Sequence, residues 1–167
     1  MKHVKATYIT ITGHRPQKLG GFNPKNALNI KVYEALEAKM VNAVSKFDNV
    51  VFRIGMAIGV DQMAAHICVK HGFAFDAYVP CEGQESRWPK HVQDEYRKLL
   101  THARNVYVTH DGPYPGAWVM QKRNEQMVDG TDYLLSVYDG TAGGTANCVK
   151  YAQEQGVTIV NINPTEL

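Results

Sequence analysis

Six short apolar runs, separated by longer segments with helical spacing, limit what this chain can fold into more than any other feature. The runs fall at residues 8–11, 50–54, 75–79, 105–108, 133–138 and 157–162. Between them, residues 26–46, 60–71, 86–103, 118–128 and 145–155 read as helices. In the first, Ala27, Ile30, Val32, Leu36, Met40 and Val44 trace one apolar face. Gly72 stops the second and Pro80 ends the third strand. The strands are nearly continuous in apolar character rather than alternating. That pattern belongs to a mainly parallel sheet covered by helices on both faces, an α/β three-layer sandwich. Such sheets bind ligands beyond the carboxyl ends of their strands, near the point where strand order reverses.

At 167 residues the chain fits a single domain over 1–167, with a core that needs no metal or disulfide. Its 18 basic and 16 acidic residues nearly balance, so charge gives nucleic acid no support as a partner, and none is expected. No apolar run is long enough to span a membrane and no signal-peptide pattern opens the chain, so a cytoplasmic protein is expected. Cys68, Cys81 and Cys148 are odd in number and widely spaced, which speaks against a disulfide framework. Cys81, just after Pro80, is read as inert rather than as a reactive thiol. The histidines show no metal-binding spacing, and neither metal nor cofactor is expected.

The chemistry-bearing residues follow the strands. After the first comes Thr12-Gly13-His14-Arg15-Pro16, in which Gly13 permits close backbone approach and His14 and Arg15 can bind phosphate. After the second comes GMAIGVDQMAA, where Gly55 and Gly59 bracket a turn and Asp61 opens a helix as a candidate acceptor for a sugar hydroxyl or base. This is neither a dinucleotide fingerprint nor a P-loop. After the third, Glu82, Glu85, Arg87 and Trp88 cluster; Trp88 either stacks on a base or packs on its own helix. After the fifth, Asp139 leads through Gly140 and Thr141 to Gly143-Gly144-Thr145 at a helix start. Glycines and unpaired helix N–H groups make an anion cradle. Asp139 can also simply turn the strand into its loop. Residues 111–117, with Gly-Pro-Tyr-Pro-Gly, read as a flap or a rigid surface loop.

Taken in order, TGHRP, GMAIGVDQMAA and MQKRNEQMVDGTDYLLSVYDGTAGGT resemble the YpsA-like branch of the SLOG superfamily, which also holds the Lonely Guy phosphoribohydrolases and the DNA-processing protein DprA. The resemblance implies a Rossmann-like fold that binds a nucleotide or nucleotide-derived small molecule at the strand tips. Gly143, Gly144 and Thr145 would hold a phosphate, flanked by Thr12, Gly13 and Arg15, with Gly55, Gly59 and Asp61 across the site. Arg123 and Met127 match the arginine-bearing helix of the Lonely Guy enzymes, and Asp132 its following Ser-Asp. Those enzymes carry glutamates where this chain has Ala146, Asn147 and Cys148. Cleavage of an N-glycosidic bond wants a carboxylate beside an oxocarbenium-like centre. Glu82, Glu85, Glu125 and Asp139 are the candidates to replace it. A binding module is therefore expected first, a nucleoside-monophosphate N-glycosidase second, and DprA-like association with single-stranded DNA third. The superfamily also implies a homo-oligomer, for which Tyr114, Trp118 and Met120 are candidate contacts.

Overall fold

A computed structural model describes residues 5–167. Six strands form one sheet: β1 (Thr7–Gly13), β2 (Val50–Ile54), β3 (Ala74–Cys81), β4 (Asn105–His110), β5 (Tyr133–Val137) and β6 (Thr158–Ile162). Five helices connect them: α1 (Ala27–Lys46), α2 (Val60–His71), α3 (Lys90–Leu100), α4 (Trp118–Val128) and α5 (Gly144–Glu154). The strand order is β4-β3-β2-β1-β5-β6, with all five pairings parallel. The result is a Rossmann-like α/β sandwich whose order reverses between β1 and β5.

Local chemistry sets the helix ends. The Asn26 side chain accepts the Asn29 N–H at 2.8 Å and opens α1. Gly72 takes a left-handed conformation (φ 70°) and closes α2. On one face Val32, Leu36 and Met40 of α1 and Ala64, Ile67 and Cys68 of α2 meet Ile9, Ile11, Phe52, Ile54 and Phe75. On the other, Cys148, Val149 and Ala152 of α5 cover Leu134. Each fully buried large apolar side chain contributes about 1.5–3 kcal/mol. Exposed ion pairs such as Lys90–Asp94 contribute less than about 1 kcal/mol, so apolar packing holds the layers together.

Three elements depart from the sequence expectation. β3 continues through Pro80 to Cys81, because its ladder with β2 stops at Ala77 and no N–H is demanded at residue 80. α3 begins only at Lys90; residues 83–88 turn instead, and Pro89 is its N-cap. β4 extends to His110, with Val106, Tyr107 and Val108 exposed rather than covered.

The β1–β5 reversal is closed by close packing and two hydrogen bonds. A Cβ on Gly13 would lie 2.5 Å from Cγ1 of Val60, so the missing side chain lets the tip of β1 sit on α2. At Gly59 (φ 109°) a Cβ would lie 2.6 Å from the His14 carbonyl oxygen, which accepts the Val60 N–H at 3.2 Å. The His14 N–H donates to Val137 O at 3.2 Å, and the Asp139 N–H donates to His14 Nε2 at 3.0 Å. The ring is only 3% exposed, and burial holds its pKa below the usual histidine value despite Asp139 Oδ1 at 2.9 Å. Nε2 thus faces both the Asp139 N–H and the Asp139 carboxylate, so one residue of the β5 loop meets the ring through its backbone and its side chain.

Gly13→Ala is expected to cost about 1–3 kcal/mol in urea unfolding, and Val60→Ala in the same chain to recover part of it. Absence of recovery would place the strain elsewhere. Because the folded pKa of His14 lies below its unfolded value near 6.5, the unfolded chain binds more protons as pH falls. The stability from the neutral ring is whole above about pH 6.5 and is lost as pH drops through the folded value. Thermal unfolding between pH 7.5 and 5 should decline with a shallower slope in His14→Gln than in the wild type.

Candidate functional site

At the carboxyl ends of β1 and β5 lies a cavity of about 300 Å³. Its wall after β5 is a loop tied down from within. Asp139 Oδ1 accepts the Thr141 N–H at 2.9 Å and the Thr141 hydroxyl as well. These bonds hold the Asp139 carboxyl down to about 2, so it is an anion committed to the turn. Lys18, on the short 3₁₀ turn Pro16–Lys18, donates from Nζ to Thr141 Oγ1 at 2.6 Å and to Ala142 O at 2.9 Å. An ammonium from the β1 side thus stands at the mouth of the β5 loop.

The loop delivers the start of α5 to the cavity. Gly143 is the N-cap, with φ 146°, and no side chain caps the helix. The first N–H bonded back into the helix is that of Asn147, to Gly143 O at 3.1 Å. The N–H groups of Gly144 and Thr145 precede it, at the positive end of the dipole. No atom lies within 4 Å of a Cβ built on Gly144, so its open side faces free space.

The opposite wall belongs to α4. Thr10 Oγ1 donates to Met127 O at 2.6 Å, and Arg53 Nη1 to the carbonyls of Met127 and Asp129 at 3.0 and 2.8 Å. With its last turn pinned to β1 and β2, α4 presents Arg123, one turn earlier, to the rim. Arg123 is 4% exposed. Its Nη1 donates to Gly55 O at 2.6 Å and Tyr78 O at 3.3 Å, and its Nε to Asn124 Oδ1 at 3.0 Å. These acceptors are neutral, so no hydrogen-bonded carboxylate neutralises the guanidinium, and Asp61 is the acid that acts on it most strongly. Gly55 separates it from Asp61: a Cβ there would lie 2.8 Å from Arg123 Nη1 and 3.0 Å from Asp61 Oδ2. Asp61 Oδ2 accepts the Ala57 N–H at 3.1 Å. Burial raises its pKa, with Arg123 and Arg15 opposing.

Thr12, Gly13, His14, Arg15, Asp61, Arg123, Gly143, Gly144 and Thr145 all line this cavity. The glycines divide by use, however. The open sides of Gly13, Gly55 and Gly59 are filled by Val60, by Arg123 with Asp61, and by the His14 backbone, so they serve packing rather than ligand approach. His14 Nε2 is likewise engaged by Asp139. The carboxylates named as catalytic replacements do not gather. Glu85 pairs with Arg97 at 3.5 Å, Glu125 lies toward Tyr151 of α5, and neither lines this cavity or the cleft beside it. Asp132 accepts the Tyr8 N–H at 2.8 Å, at the start of β1 and away from the rim. Asn147 is exposed, and Cys148 is buried with its thiol pushed up to about 11.

A larger cleft of about 1070 Å³ adjoins the first, sharing Arg15, Gln17, Ala57 and Met120 with it. Glu82, Arg87, Trp88, Phe22, Tyr114 and Cys81 line it. Trp88 packs on its own helix, meeting Tyr96 of α3 edge-on at 5.2 Å, and also lines the cleft. Burial raises the Cys81 thiol, which disfavours a thiolate. Lys18, Asn124 and Gln17 escaped the sequence reading, and Met120, named there as a candidate contact between copies, lines both spaces instead. For Lys18 no local signal exists, since the loop it holds is over a hundred residues away in the chain.

The chain is similar to known proteins along nearly its whole length. It is 31% identical to the SPbeta prophage-derived protein YoqJ of Bacillus subtilis over 146 residues, covering 78% of this chain and 85% of that one. A UPF0398 protein of Brevibacillus brevis is 25% identical over 169 residues, covering 95% and 89%. Among solved structures, DNA processing protein A from Helicobacter pylori superposes with a TM-score of 0.65 at 14% identity, over 94% of this chain and 65% of that longer one. That structure is described by its single-stranded DNA binding mode. At such identity the likeness shows the fold alone, and it lends no support to the expectation against nucleic acid. No helix among the described residues is long and apolar enough to cross a membrane. The model of the YspA SLOG family matches residues 9–167, and the chain belongs to that family.

Proposed function

We propose that this protein binds the phosphate of a nucleotide-derived small molecule in the inner cavity, with the rest of the ligand extending into the outer cleft. The observation that carries this reading is the convergence of three separate donors on one space: the Lys18 ammonium, the uncapped start of α5 beyond Gly143 and Gly144, and the buried Arg123. Oriented N–H groups and fixed cations are what an oxyanion requires. The sugar would lie within reach of Asp61, and an aromatic base would meet Trp88, Tyr114 or Phe22. Glycosidic cleavage receives less support, because the family pattern's glutamates are absent and, among the described residues, Asp61 is the one carboxyl lining the inner cavity. A second reading, single-stranded nucleic acid, is favoured by the outer cleft. There the fold assembles Arg15 and Arg87 with Trp88, Phe22 and Tyr114, the basic and aromatic mixture that holds unpaired bases.

Gly144→Val separates binding from folding, since the position has open space and no left-handed strain. Thermal melting should stay within a few degrees of wild type. Calorimetry on a panel of ribo- and deoxyribonucleoside phosphates should show binding weakened more than about 100-fold. Wild-type affinity in that variant would overturn the cradle. Lys18→Ala should weaken the same ligands about tenfold and flatten the salt dependence of binding. In a parallel incubation, chromatography should find little free base; efficient release would establish turnover and turn attention to Asp61. Tighter binding of oligonucleotides than of any mononucleotide would favour the second reading.

A further inference from the structure

β4 is an edge strand without the protection that edges usually carry. Its six residues, Asn-Val-Tyr-Val-Thr-His, include no charged side chain and no proline, the two commonest devices that keep an edge from pairing. Val106, Tyr107 and Val108 are 47%, 46% and 42% exposed, and because they are consecutive they place apolar surface on both faces of the sheet. Tyr107 is backed by Tyr78, ring centroids 5.0 Å apart, so it stands on a firm base. One side of β4 pairs with β3; the other has no strand partner among the described residues. The opposite edge, β6, exposes only Val160 among its large apolar side chains.

We propose that β4 is the interface of a homodimer, pairing antiparallel with β4 of a second copy about a two-fold axis through Tyr107. The occupant is a second copy because the strand is complementary to itself in this register. A two-fold perpendicular to the sheet keeps each side chain on its own face, so opposed residues must stand an even number apart. With the axis at Tyr107, Val106 faces Val108 of the second copy and Val108 its Val106. Tyr107 faces Tyr107, and Asn105 faces Thr109. Apolar meets apolar and polar meets polar on each face. Moving the axis to Val108 would instead set Val106 against His110 and Tyr107 against Thr109. The contact is isologous, so it closes at two copies and gives one continuous sheet with six strands from each. The rims of the two sheets then point in opposite directions and leave both clefts open. None of this depends on which ligand the cleft takes.

Sedimentation velocity of the wild-type protein over a range of concentrations should show a monomer–dimer equilibrium. Val106→Lys should raise the dimer dissociation constant more than about tenfold, because it sets a charge against Val108. Adding Val108→Glu in the same chain should restore dimerisation, since this register alone puts V106K opposite V108E twice. Directly opposed residues in an antiparallel pair have Cα atoms about 4.5–5.5 Å apart, within disulfide reach. Tyr107→Cys should therefore crosslink under mild oxidation, whereas Val160→Cys on β6 should not; the native Cys68, Cys81 and Cys148 are buried. All four substituted positions are exposed, and circular dichroism checks that the variants fold. A wild-type protein that stays monomeric at its highest soluble concentration overturns the proposal. So does a dimer that survives V106K and leaves Y107C uncrosslinked.

Discussion

The hydrogen bond from the Asp139 N–H to His14 Nε2 joins the two loops between which everything else at the rim is arranged. It spans the place where strand order reverses, and beyond that place the connections from β1 and β5 diverge. A parallel sheet leaves a crevice there by geometry alone. In this protein the crevice has a fixed width, because a buried neutral imidazole bridges it and the His14 N–H reaches Val137 O beside it. Lys18 can bond the Thr141–Ala142 segment only because this stitch holds the two loops together. An exposed ion pair of similar length would be worth little. The buried ring does more, since its alternative is an unsatisfied polar atom.

Charge inside the rim is arranged rather than cancelled. Arg123 gives its hydrogen bonds to carbonyl and amide oxygens, and Asp61, across Gly55, takes a backbone N–H. A direct ion pair would consume both groups. Separation by one glycine keeps a cation and an acid facing the same space, each partly satisfied. Such a wall is costly to desolvate, and a charged group placed against it would offset part of that cost.

How much of this was legible in the sequence depended on whether the signal was local. The apolar runs located every strand, and residues 26–46, 60–71 and 118–128 read correctly as helices. Their amphipathic spacing and glycine stops depend on near neighbours in the chain. β3 ran past Pro80 because a neighbouring ladder ended early, and α3 shortened at Pro89, which the apolar spacing of 86–103 did not reveal. The exposure of β4 was hidden for the same reason. An apolar strand reads as buried until the sheet order puts it at an edge.

By itself the sequence determined the α/β class, the mainly parallel sheet and the family, and it marked the loops of the candidate site, since each follows from periodicity and motif order along the chain. Only the tertiary structure decided what each glycine was for. Gly13, Gly55 and Gly59 are spent on packing, while Gly144 is left open, and nothing in the motifs distinguishes them. It also decided that Lys18 belongs to the loop after β5, and that Glu85 and Glu125 stand away from the cavity. The physical reason is that a missing Cβ, a charge or a carboxylate acquires its role from whatever lies within a few ångströms of it, and in this fold those neighbours come from distant parts of the chain.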